Sequence, residues 1–208
     1  MKIAILGGTG KMGLALAVRL AGANEVIIGS RDPARAREAA KKVPGATGTD
    51  YESASKEAEA VVVTVPASAL GTFASLGDAL SGKLVISAVN PLRFEGGVVY
   101  YGGEGGSAAE ELARALPRSR VATAFNNIPA GFFQKGETVP IDVLVAADSK
   151  EVYEETARIV KSVPNLRPLY AGPLSQSVVV ESITALVLNL ANLNQTGSLT
   201  TRFVSRKG

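Results

Sequence analysis

The heptapeptide Gly7-Gly8-Thr9-Gly10-Lys11-Met12-Gly13 follows the apolar run Lys2–Leu6 and precedes Leu14, Leu16, Val18 and Leu20 at helical spacing. A glycine turn between a strand and a helix brings backbone N–H groups to a helix N-terminus, where they can bind a pyrophosphate. Side chains at Gly8 or Gly10 would obstruct that approach, and the missing Cβ at Gly13 lets helix and sheet pack closely. A second apolar run closes at Gly29-Ser30-Arg31, completing one βαβ unit. An NAD site places a carboxylate there to accept the ribose 2′-OH. This chain offers Ser30 and Arg31 instead, with Arg35 one helical turn on. A hydroxyl and two guanidinium groups suit a dianionic 2′-phosphate, so the expected cofactor is NADP. Asp32 and Pro33 read as a helix N-cap and first helical residue, and the simpler alternative for Arg31, Arg35 and Arg37 is a solvated helix face. The two readings are compatible, because Asp32 can cap the helix while its neighbours bind phosphate.

Residue types then restrict the reaction. The chain has no histidine and no cysteine, which removes the commonest general base, the commonest metal ligand and any thiolate nucleophile. Ser-His-Asp hydrolysis and histidine-based hydroxyacid dehydrogenation are excluded. Short-chain dehydrogenases use a tyrosine with lysine four positions later, but the residues four after the tyrosines here are Ser55, Glu104, Gly105, Ala157 and Leu174. A reaction needing little side-chain acid–base help fits better. Hydride transfer between two stacked redox rings is one, since the protein mainly holds two carbons roughly 3–3.5 Å apart.

Strands are expected near 2–7, 25–30, 46–49, 60–66, 83–90 and 120–126, alternating with helices near 11–22, 33–43, 51–58, 68–80 and 107–116. The pattern predicts an α/β fold, a Rossmann-type doubly wound parallel sheet. Strands near 141–147 and 167–171 flank a charged amphipathic helix over 149–163, and an apolar helix over about 177–194 supplies a small C-terminal helical lobe. The expected division is an NADP-binding domain over 1–126 and a sheet extension with helical lobe over 127–208. Glycine- and aromatic-rich loops over 90–106 and 126–140 follow strand ends, the edge where ligands bind in open α/β sheets. The stretch 178–193 is interrupted by Glu181, Ser182 and Asn189, so it reads as a buried helix and not a membrane span. Glu181 and Asn189 need partners if buried. A formal net charge of +3, with acids and bases interspersed, gives nucleic-acid binding no support. The opening strand leaves no room for a signal peptide, and the lack of cysteine fits the cytoplasm.

Five segments together resemble the coenzyme F420-dependent NADP oxidoreductases. They are Gly7-Gly8-Thr9-Gly10, Gly29-Ser30-Arg31, Thr64-Val65-Pro66, Asn127-Ile128-Pro129-Ala130, and Ala171-Gly172-Pro173-Leu174-Ser175 leading to Val180-Glu181-Ser182-Ile183-Thr184. The resemblance implies hydride transfer between NADP(H) and a 5-deazaflavin, coenzyme F420, stacked in one cleft. It implies that Thr9, Gly10, Lys11 and Met12 hold the pyrophosphate, with Gly8 also among the cofactor-binding residues, and that Ser30, Arg31 and Arg35 hold the 2′-phosphate. Val65, Pro66, Val89, Asn90, Ala130 and Gly131 would border the nicotinamide. The deazaflavin would lie near Asn126 and Ile128, with residues 127–208 completing its cleft. Where the family carries a histidine this chain has Asn126, whose amide can donate to a ring carbonyl but cannot carry a proton. Phe125-Asn126-Asn127 also resembles NADPH-dependent flavin and ferric reductase domains, so FMN or FAD is the alternative second ring. A non-catalytic NADP sensor is the alternative outside the enzymes. Asn126 and Asn127 read equally well as strand-end turn formers. The implied partners are small-molecule redox cofactors and further copies of the chain, in a homodimer or higher homo-oligomer.

Overall fold

Runs such as Ala60–Val63 and Leu84–Ser87 are apolar without alternation, as strands covered on both faces must be. In the computed structural model, which describes residues 1–134 and 139–206, they lie near the centre of an eight-stranded sheet. Its strands are β1 (Lys2–Leu6), β2 (Glu25–Gly29), β3 (Thr47–Thr49), β4 (Ala60–Val63), β5 (Leu84–Ser87), β8 (Arg120–Thr123), β9 (Ile141–Ala147) and β10 (Leu166–Gly172). The order is β10-β9-β8-β5-β4-β1-β2-β3. On one face, Ile3, Ile5 and Val62 pack with Leu16 and Leu20 of α1 (Lys11–Leu20), Ala36 of α2 (Pro33–Ala40) and Ile159 of α6 (Lys150–Lys161). On the other, Ala4, Leu6 and Val63 meet Ala54 of α3 (Tyr51–Glu57), Phe73, and Leu112 of α4 (Ala108–Ala115).

The alternating architecture stands as expected, with three differences. β9 pairs antiparallel with β8, and β10 pairs parallel with β9, so two strands run against the other six. The sheet is therefore continuous past residue 126. The segment Ala67–Leu76, expected as α-helix, forms 3-10 turns. Gly71 lies within it, and the Thr72 and Ser75 hydroxyls donate to carbonyls three residues back, which favours the tighter winding. The stretch after β5, expected as a loop, contains the hairpin β6 (Leu92–Glu95) and β7 (Val98–Tyr101). Gly96 and Gly97 form its turn with φ of 57° and 80°, values that glycine adopts without strain.

The last elements are α5 (Ala130–Gln134) and α7 (Ser177–Asn194). With the turn before it, Leu174–Asn194 is a 21-residue run of mean hydropathy 1.5, long and apolar enough to cross a membrane by length and composition. The expectation that its polar interruptions exclude a membrane span is corrected in those terms, by length and composition only. Two of its polar residues, Glu181 and Asn189, are committed to this fold. Asn189 accepts from the Val99 N–H and donates to the Val99 carbonyl, both at 2.7 Å, acting as a strand edge for the hairpin. Glu181, fully buried, accepts from Ala108 N (2.9 Å), Ala109 N (3.1 Å) and the Tyr101 hydroxyl (3.1 Å). Burial pushes its carboxyl up to about 7 despite these donors, and burial next to Glu181 pushes the Tyr101 phenol well above its ordinary value.

Candidate functional site

Two cavities open side by side where the parallel strands end. The first, of about 360 Å³, lies over β1, β2 and β4 and is lined by Gly7, Thr9 and Gly10, by Ser30, Arg31 and Arg35, and by Thr64, Val65 and Pro66. The glycine loop folds under it by backbone bonds alone: Gly7 N to Gly29 O (3.1 Å), Gly8 N to Ile5 O (3.1 Å) and Gly10 N to Gly7 O (2.9 Å). Gly7 has φ +92°, and a Cβ at Gly13 would fall 2.5 Å from the Gly7 carbonyl oxygen and 2.6 Å from Thr64 Oγ1. Gly13 thus lets the helix start directly against the loop. The Gly8 position differs from its expected role, since a Cβ there would meet Ile28 and the Ile5 carbonyl at 2.9 Å, inside the protein. Gly10 meets only the Gly7 carbonyl at 3.3 Å, leaving its outer side open.

The charge pattern of this cavity fits an anion with a terminal phosphate. Among the described residues no side chain caps the first turn of α1, whereas Asp32, Asp50, Ser107 and Ser149 cap α2, α3, α4 and α6. The uncapped N–H groups and helix dipole therefore remain available to a bound anion. Asp32 Oδ1 accepts from Ala34 N (2.9 Å) and Arg35 N (3.3 Å), so the aspartate is spent on the helix. Among the described residues Arg31 and Arg35 form no ion pair. Ser30 Oγ accepts from Asp32 N at 3.2 Å, which leaves its hydroxyl proton free to donate. Capping of α2 by Asp32 thus leaves the Arg31 and Arg35 guanidinium groups and the Ser30 hydroxyl proton available to an anion.

The second cavity, of about 310 Å³, lies over β5 and β8. Met12, Asn90, Asn126, Ile128 and Ala130 line it, together with Thr184 and Val187 of α7. Phe125 turns the chain into it with φ 68°, an unusual conformation for a buried aromatic residue. Asn126 Nδ2 donates to Val89 O (2.9 Å) and Asn90 Oδ1 (3.1 Å), Asn90 Nδ2 returns a bond to Asn126 O (2.9 Å), and Thr184 Oγ1 donates to the same oxygen (2.8 Å). The Val89 contact fixes the amide orientation, since a flip would set two oxygens against each other. Asn126 thus differs from expectation. Its donors are spent, and the buried Oδ1, without a partner among the described residues, is what it has left to offer.

Asn127 serves the fold. Its Nδ2 donates to Asp142 O (2.6 Å) and Thr201 Oγ1 (2.7 Å), and its carbonyl accepts from Thr200 Oγ1 (3.2 Å). The C-terminal segment is held further by Asp142, which accepts from Arg167 Nε (2.6 Å) and Phe203 N (2.5 Å). Burial alone would raise the Asp142 carboxyl, but these donors outweigh it and hold it below its ordinary range.

The remaining expected residues are distributed unevenly. Val65 and Pro66 line the phosphate-side cavity and Met12 lines the apolar one. Lys11 is exposed at the start of α1. Val89 is buried beneath the site, supplying its carbonyl to Asn126. Gly131 faces the C-terminal segment, with Ser198 Oγ 3.6 Å from where its Cβ would be. The sequence reading did not single out Tyr51 and Thr72 in the first cavity or Val187 and Leu188 in the second. Tyr51 stands directly after the cap Asp50 and reads simply as a helix start.

A family described as "NADP oxidoreductase coenzyme F420-dependent" matches residues 2–91. The F420-dependent NADP reductase of Methanothermobacter thermautotrophicus is 42% identical over 206 residues, covering 91% of this chain and 89% of that protein. The enzyme of the same name from Methanocaldococcus jannaschii is 34% identical, with 91% and 92% covered. The metalloreductase STEAP3 of Rattus norvegicus is 31% identical over 90% of this chain, which spans only 37% of that protein. Among solved structures, one from Arthrobacter sp. FB24 superposes with a TM-score of 0.86 at 22% identity, covering 99% and 100%. The 3-hydroxyisobutyrate dehydrogenase of Mycobacterium tuberculosis gives 0.67 at 15%, covering 93% and 62%. Both share the fold.

Proposed function

The chain belongs to the F420-dependent NADP reductases, and from that membership we infer that it is an oxidoreductase transferring hydride between NADP(H) and coenzyme F420. The observation that carries the reading is the pairing of the cavities. An anion-binding cavity with uncommitted guanidinium groups adjoins an apolar cavity walled by α7 along the same strand ends. When bound, the two cofactors supply the donating and accepting carbons, and the protein's part is to hold and shield them.

In our assignment Thr9, Gly10 and Lys11 bind the pyrophosphate over a floor that includes Gly8, and Ser30, Arg31 and Arg35 bind the 2′-phosphate. Val65 and Pro66 guide the dinucleotide toward Met12, and Asn90, Asn126, Ile128 and Ala130 surround the second ring. Val89 and Gly131 act from behind, by holding Asn126 and by leaving room beside Ser198. Residues 1–126 carry the NADP site and 127–208 complete the ring cleft, working as parts of one sheet. α7 presents Val179, Leu186, Leu190 and Leu193 as exposed apolar side chains at spacings of one helix face, which supports a homo-oligomer contact there. The absence of cysteine suits a cytoplasmic enzyme.

The flavin or ferric reductase and sensor readings are not favoured. The F420-dependent relatives align over nearly their whole length, whereas the metalloreductase aligns over about a third of its own. The test is spectral: NADPH is mixed with the protein and oxidised F420, and the deazaflavin absorbance is followed. Loss of that absorbance is expected. Reduction of FMN but not F420, or turnover of neither, overturns the assignment.

A further inference from the structure

Tyr51 occupies a place in the first cavity that its role as the first residue of α3 does not require. It is half-buried, it lines the cavity together with Ser30, Arg31 and Arg35, and its hydroxyl has no hydrogen-bond partner among the described residues. Its ring is held from two sides. The ring centroid lies 5.9 Å from that of Phe73 at an interplanar angle of 38°, and Tyr51 Cδ1 is 3.3 Å from where a Cβ on Gly29 would stand. The ring therefore lies over the end of β2, in the space opened by the missing Gly29 side chain, immediately before Ser30. The surroundings match a waiting donor. Burial raises the phenol above its ordinary value, with the positive charge of Arg31 acting in the opposite direction, so the hydroxyl is protonated at neutral pH.

We propose that Tyr51 is a specificity-determining residue whose hydroxyl donates a hydrogen bond to the 2′-phosphate of NADP(H), completing a site otherwise made by Ser30, Arg31 and Arg35. This inference rests on the assignment of that cavity to the 2′-phosphate. A phenol in a packed ring suits the task because its oxygen is delivered without ordering a flexible side chain, and O–H to oxyanion bonds are among the stronger neutral-donor contacts. The ribose 2′-OH of NAD(H) is an uncharged acceptor that reaches less far than a phosphate oxygen, so NAD(H) gains less from the hydroxyl.

The experiment compares the parent, Tyr51→Phe and the Arg31→Ala/Arg35→Ala double variant by calorimetric titration with NADP, NAD and the fragments 2′,5′-ADP and 5′-ADP. Tyr51→Phe keeps the ring and its contact with Phe73, and its thermal midpoint checks that the fold is retained. We expect Tyr51→Phe to weaken NADP and 2′,5′-ADP about tenfold while NAD and 5′-ADP change by less than about twofold. Unchanged NADP affinity in Tyr51→Phe, or equal weakening of all four ligands, overturns the role of the hydroxyl. If the arginine substitutions also weaken 2′,5′-ADP and 5′-ADP equally, or weaken neither, the assignment of the cavity itself fails. If the arginines discriminate and Tyr51→Phe does not, only the tyrosine proposal fails.

Discussion

Over β1, β2 and β4 the polar groups facing the cavity have few partners within the protein, whereas over β5 and β8 they are bound to one another. Among the described residues Arg31, Arg35 and the first turn of α1 are uncommitted, while the Asn126 and Thr184 donors and one from Asn90 are bonded within the site and Asn126 Oδ1 is left without a partner. Open donors make affinity for an anion. Saturated ones make shape, because each amide that satisfies a neighbour fixes a wall against which a flat apolar ring can rest. On the proposed assignment binding energy lies in one cavity and reaction geometry in the other, and each half of that statement can be broken separately.

The largest expected effect lies on the charged side. Arg31→Ala/Arg35→Ala should weaken NADP by about 3–6 kcal/mol for two charge-assisted contacts and NAD hardly at all, as read by calorimetry. Equal losses would show that these arginines do not read the 2′-phosphate.

On the apolar side, Glu181 ties α7 to α4 and to the hairpin, and its carboxyl stands at about 7 against an ordinary 4.5. A raised carboxyl favours the folded state fully below its ordinary value, and that contribution disappears as pH rises through about 7. The stability of the parent relative to Glu181→Gln, which does not titrate, should therefore fall by about 1–3 kcal/mol between pH 5 and pH 8 in urea unfolding. A pH-independent difference would contradict the buried titration.

Leu188→Trp, a half-buried α7 residue on the apolar cavity, should slow F420 reduction at least tenfold, about 1.4 kcal/mol, while changing NADP affinity by less than about twofold. Parental turnover in this variant would separate the cavity from the reaction. The smallest expected effect is none: with no histidine present and Glu181 outside both cavities, the hydride step in stopped flow should show no protein-borne inflection between about pH 6 and 8. An inflection absent from both free cofactors would require a titrating group at the rings.

The same contrast explains what could be read from residues alone. Gly7 to Gly13 and Ser30-Arg31 act through local backbone geometry and charge, and such features are written in consecutive positions. The alternation of strands and helices was legible for the same reason. Strand direction is not carried by periodicity, so the reversal of β9 and β10 was hidden. The hairpin had a local signal in Gly96-Gly97 between two β-rich tetrapeptides, but the surrounding glycines masked it. The partners of Asn126 could not be assigned, because Val89, which accepts from its amide, and Thr184, which donates to its carbonyl, come from distant parts of the chain.

The C-terminal segment gives this difference a scale in chain length. The groups lining the phosphate-side cavity all fall between residues 7 and 72. Asn127, by contrast, is secured by Thr200, 73 residues downstream, and Asp142 by Phe203, 61 downstream. Closing loops of that length carries a larger entropic cost than the short closures of the glycine turn and β2, and it must be met before the contacts return any stability. The glycine turn and the start of α2 therefore close over short loops, whereas the wall at Thr64, bonded to Leu6 across 58 residues, and the C-terminal segment both depend on contacts between distant parts of the chain.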